Sequence, residues 1–154
     1  MIPSWAPNVH PMMVHFPIAL LITAVAADLV DVVFRRPNWL ASMATILYVV
    51  GAVSASVTYW TGFRAAAAVF VPGMAHPMID DHRMWALATT VAAGTLALSR
   101  VTLHLTGYNR IKRVRLGLVV TGLVVLVLVQ QTAERGARLV YEQGVGVIPA
   151  PGAR

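Results

Sequence analysis

No cysteine occurs among the 154 residues. Disulfides, thiolate metal sites, thioether-attached haem and cysteine-held iron–sulfur clusters are therefore excluded for this chain. Charge is scarce as well: Asp, Glu, Lys and Arg make up only 12% of residues, about half the share of a soluble domain. A phosphate-binding glycine loop, a G-x-S-x-G nucleophile elbow and an HExxH pair are all missing, so nothing points to the hydrolases that carry them. The formal charge is +6, but the basic residues have no interleaved aromatic stacking platform. A nucleic-acid partner is not expected.

Apolar sequence is what the chain has in abundance. Hydrophobic residues reach 58% and the mean hydropathy is +0.70. Together with the small size, this predicts an all-α integral membrane four-helix bundle forming one domain over residues 1–154. About 20 residues cross a ~30 Å hydrocarbon core. Four stretches suffice, at about 11–34, 39–63, 82–105 and 114–133, followed by a tail over 134–154. Arg35-Arg36-Pro37-Asn38 separates the first pair, and Tyr108-Asn109-Arg110-Ile111-Lys112-Arg113 the last. The middle joint, residues 64–81, contains Pro72, Gly73 and Pro77 and reads as a loop with a short interfacial turn. The first seven residues lack a basic n-region, so the first run is expected to be a retained helix.

Basic residues set the expected orientation. Arg35, Arg36, Arg110, Lys112, Arg113 and Arg115 fall on one side, which the positive-inside rule places in the cytoplasm, with both termini outside. Trp5, Tyr59, Trp60 and Trp85 then sit near the outer interface. The expected location is the bacterial cytoplasmic membrane, with lipid as the first partner.

Histidine carries the candidate chemistry. On this topology His10 and His15 open helix one, His82 opens helix three, and His76 precedes it in the loop. Four of the five histidines thus gather at one membrane face, and His104 lies about 33 Å away at the other. Pro11 suits the first helical position, and Pro17 would free the carbonyl of Met13. Asp80 or Asp81 would cap helix three and set His82 in its first turn. Imidazole is costly in hydrocarbon and is a common iron ligand, so the pattern permits a haem b between His15 and His82. His10 and His76 would support that site. Each histidine has an ordinary alternative as an interfacial or backbone-bonded side chain. Met12, Met13, Met74, Met78 and Met84 near the same face would extend the cluster into a copper site, since thioethers favour Cu(I), although methionine also fills apolar gaps.

Three charges fall inside the spans. Arg100 lies 18 residues, five full turns, after His82 and shares its face. Asp28 or Asp31 is its expected ion-pair partner, and a proton or quinone-headgroup role is the alternative. Gly51, Ser54, Ala55 and Ser56 give helix two a small-residue contact face. Helix four, rich in Val and Leu, reads as scaffold.

The opening His10-Pro-Met-Met-Val-His15-Phe-Pro-Ile-Ala resembles a family of bacterial membrane proteins called domain of unknown function 2231. The similarity extends through residues 51–62, His82 and the closing Gly136-Ala-Arg-Leu-Val-Tyr141-Glu-Gln-Gly144-Val-Gly146-Val. The resemblance implies a compact four-helix membrane domain whose relatives are fused to, or placed beside, Rieske or cytochrome c modules. It supports electron transfer through a b-type haem with His15 and His82 as ligands at the matching positions. The expected role is a haem b electron-transfer or anchor subunit of a respiratory or dehydrogenase complex. Separate membrane or extracytoplasmic redox subunits, and quinone, are its expected partners. A cofactor-free assembly subunit and a copper-handling protein are the alternatives.

Overall fold

The computed structural model describes residues 8–34, 39–69 and 71–147. Regular structure there is helical, with no strand among the described residues. Helix α1 is His10–Met13, α2 His15–Phe34, α3 Trp39–Ala68, α4 His76–Leu105 and α5 Lys112–Tyr141. With α1 and α2 forming one span, four helical spans are long and apolar enough to cross a membrane. Trp5 and the Arg35-Arg36-Pro37-Asn38 joint lie outside the described residues.

Each long helix packs against its chain neighbours, and α5 returns to α2, so the four close into a ring. Helices α2 and α4 are therefore diagonal partners. Leu21, Ala24, Val25, Tyr48, Ala52, Ala93, Leu96, Ala97 and Val125 form the core. Alanine dominates because lipid offers little hydrophobic gain for association, so close backbone approach and dispersion must hold the helices. A methyl added at Gly51 would lie 3.0 Å from Leu21 Cδ2, which marks how tightly α2 and α3 meet. Val33, Ile46 and Leu98 are among the large apolar side chains turned outward, towards lipid.

The helices overrun the hydrophobic stretches. Helix α3 runs to Ala68 rather than 63, α4 starts at His76 rather than 82, and α5 ends at Tyr141 rather than 133. Hydropathy marks the hydrocarbon boundary, whereas helix ends follow local chemistry. Ala65–Ala68 are good helix formers, and Pro77 begins α4 at a position where its missing N–H costs nothing. Asp80 and Asp81 are thus not caps: they lie inside α4, whose N-cap is Ala75, without a side-chain bond. His82 sits in the second turn. Glu134 and Glu142 bracket Arg138 at 2.6 and 4.0 Å, which supports the last turns of α5. Gly107, at φ +77°, ends the α4 segment in the left-handed conformation that glycine tolerates best.

Candidate functional site

Two polar centres occupy opposite ends of the bundle. At the end where α1 and α4 begin, His10 and His82 enter from diagonal helices. His10 Nδ1 lies 3.3 Å from Thr61 Oγ1 on α3. The Thr61 hydroxyl proton is already donated to the Thr58 carbonyl at 2.9 Å, so Oγ1 must accept and His10 Nδ1–H must donate. The His82 contact is simpler still: Nδ1 is 3.1 Å from the Thr132 carbonyl on α5, which can only accept. Both neutral imidazoles therefore carry their proton on Nδ1, and Nε2 has no hydrogen-bond partner among the described residues. This is how a ligating histidine is oriented by its supporting hydrogen bond.

Glycine lets the rings sit there. A methyl on Gly62 would come within 2.9 Å of His10 Cε1, and one on Gly136 within 3.1 Å of His82 Cε1. The two arrangements are parallel: each histidine belongs to the first span of a hairpin and is braced by a threonine and a glycine of the second. Hydroxyls tie the braces into the fold. Thr132 Oγ1 is 2.8 Å from Thr89 Oγ1, which in turn donates to the Trp85 carbonyl at 2.8 Å. The Met13 carbonyl, freed by Pro17, accepts from Thr58 Oγ1 at 3.2 Å. At the rim, Arg135 bonds Asp81 at 2.6 Å and stacks 4.2 Å above the Trp85 ring.

The expected His15–His82 pair is not what the fold brings together. His15 is exposed, whereas His10 is the half-buried imidazole bonded across to α3. Five residues at 100° each place His10 and His15 about 140° apart around a helix, so they cannot both face inward. Their depth was legible from the spacing, but their azimuth was not. His76 is exposed, with Nδ1 3.2 Å from the Gly73 carbonyl. Met12, Met74 and Met84 are exposed too, and among the described residues no three His, Asp or Glu side chains gather to hold a metal ion.

At the other end, Arg100 is 4% exposed and forks onto Asp28 with two bonds of 2.7 and 2.8 Å. Asp31, one turn further on α2, is held instead by Arg115, which also reaches the Asp31 carbonyl at 2.9 Å. The Arg100 guanidinium lies 4.6 Å above the Tyr48 ring. The Tyr48 hydroxyl faces Asp28 without the geometry of a full hydrogen bond. The three buried charges Asp28, Asp31 and Arg100 are legible in the sequence, whereas Arg115 reads there only as an interfacial cation, and nothing in the composition marks the approach of Tyr48 to Gly122. Helix α5 is more than scaffold, because it supplies Arg115 and the backbone that accommodates Tyr48.

A family of sequences described as "predicted membrane protein", domain of unknown function 2231, matches residues 6–149. No curated protein and no solved structure matches the chain.

Proposed function

Because the chain belongs to this family of predicted membrane proteins and has four spans long and apolar enough to cross a membrane, we propose that it is a haem b electron-transfer or anchor subunit of a respiratory or dehydrogenase complex. One observation carries the reading. Two imidazoles from diagonal helices share one end of the bundle, each fixed through Nδ1–H with Nε2 unbonded among the described residues. That donor set fits bis-histidine ligation of haem iron, and His10 and His82 would be the ligands. A bound haem would supply a one-electron carrier. Thr61 and the Thr132 carbonyl hold the tautomers, Gly62 and Gly136 give the rings room, and the surrounding apolar helices keep water away. Electrons would be exchanged with a separate redox protein at the rim formed by Asp81, Arg135 and Trp85.

Sidedness follows from charge. The histidine end has Arg64, Arg83, Arg135 and Arg138 balanced by Asp80, Asp81, Glu134 and Glu142, whereas Arg100, Arg110, Lys112, Arg113 and Arg115 towards the other end face only Asp28 and Asp31. The positive-inside rule then puts the histidine end outside the bacterial cytoplasmic membrane.

Visible spectra of the purified protein, oxidised and dithionite-reduced, test the assignment. A sharp α-band is expected in the wild type and in His15→Ala, and should be lost in His10→Ala and in His82→Ala. Loss in His15→Ala with retention in His10→Ala would return the site to the motif pair. A colourless protein would overturn the redox reading and favour a cofactor-free assembly subunit. That second reading has its own support, because both rings already make interhelical bonds of the kind that join membrane helices at about 0.6 kcal/mol each. Bound copper without haem bands would instead assign the two Nε2 atoms to Cu(I).

A further inference from the structure

The basic end holds a cavity of about 310 Å³ that opens beside the Asp31–Arg115 pair and is lined by these two residues together with His104, Leu105, Asn109 and Arg110. Its volume is that of a small-molecule site. Its electrostatics are one-sided. Among the described residues Asp31 is the only acidic group in the lining, and Arg115 already neutralises it. Arg110 has no ion-pair partner among the described residues, and exposed Lys112 and Arg113 follow it in the chain. His104 adds a directed donor. Its Nδ1 accepts from the Asn109 side-chain amide at 3.0 Å, so in the neutral ring the proton sits on Nε2. The cavity thus offers guanidinium and N–H donors with no carboxylate left to compete.

The lip has the opposite character. Leu105 is 80% exposed and Tyr108 57% exposed, and Ile111 beside them is also turned out. These side chains stand at the end of a membrane-spanning bundle, where acyl chains meet headgroups. A free anion would gain nothing from such a lip, whereas an amphiphile would use both parts. We propose that this cavity binds the phosphate-bearing headgroup of an anionic phospholipid, with Arg110, Arg115 and His104 on the phosphate and Leu105 and Tyr108 against the acyl chains. Basic pockets between helices at a cytoplasmic face bind such headgroups for the same reasons. The site does not depend on the histidine end or on any cofactor.

Native mass spectrometry of the detergent-solubilised protein, titrated with phosphatidylglycerol or phosphatidylcholine, tests this. Phosphatidylglycerol should bind the wild type more tightly than phosphatidylcholine. Arg110→Gln should weaken that binding about fivefold, the effect of one interfacial cation. Lys112→Gln, an equal charge change outside the lining, should weaken it clearly less. Equal binding of the two lipids would overturn the proposal, as would equal loss in both variants, which would indicate diffuse surface charge. Displacement of the lipid by millimolar inorganic phosphate would also overturn it, assigning the cavity to a free anion.

Discussion

Replacing Asp28 with leucine is expected to destabilise the protein by about 3–5 kcal/mol, the cost of leaving a buried charge unpaired. Arg100 cannot escape: it is 4% exposed, and the neighbouring carboxylate of Asp31 is engaged by Arg115. Arg100→Leu should cost less, because a carboxylic acid can be buried as a neutral group whereas a guanidinium cannot. The double variant Asp28→Leu/Arg100→Leu should recover most of the loss, since an apolar pair of similar volume avoids the desolvation of both ions. Thermal or denaturant unfolding in detergent measures all three. If Arg100→Leu proves the more damaging single change, the pairing logic fails.

The second large effect belongs to a glycine. A methyl at Gly122 would run into Tyr48 Oη and stand 3.1 Å from Val25 Cγ2. Tyr48 has no room to retreat, being fully buried with Arg100 stacked on its ring. Gly122→Ala should therefore cost about 1–3 kcal/mol or more through overpacking. Gly117→Ala, on the same helix with nothing within 4 Å, is the control and should be neutral or slightly stabilising, as glycine-to-alanine changes in open helix positions are. Tyr48→Phe removes the clashing oxygen and leaves Cζ at an ordinary 3.4 Å. Tyr48→Phe/Gly122→Ala should then approach the stability of Tyr48→Phe alone. A double-mutant cycle with no coupling between the two positions would refute the contact.

What could be read from sequence follows from which forces act along the chain and which act across it. Hydrocarbon selects long apolar runs, so four spans were legible without any tertiary information. An arginine and two aspartates in such runs demand partners, and Arg100 does meet one of the two carboxylates named for it. Which of them it meets depends on Arg115, whose place at a helix start made it look like an interfacial cation. Helix ends were misplaced because Pro77 and the Glu134–Arg138–Glu142 ladder act beyond the hydrocarbon boundary. The histidine site turned on azimuth. Spacing placed His10, His15 and His82 near one face, but the packing of α1 on α3 decides which of the first two turns inward. The preference for His15 followed depth, whereas the bonds to Thr61 follow rotation. Tyr48 and Gly122 were silent, because a close approach between two apolar helices leaves no mark in composition.

The Asp28–Arg100 fork has one more consequence, for the far end of the molecule. His82 and Arg100 are separated by 18 residues, five whole turns and about 27 Å, on a single helix of 30 residues. They share one azimuth, so the fork works as a detent for the rotation of α4. A roll by one residue would turn His82 about 100° away from the Thr132 carbonyl and would unseat Arg100 from Asp28 in the same motion. The bearing of an imidazole at one membrane surface is in this way indexed by an ion pair near the other, through nothing more than the stiffness of the rod between them.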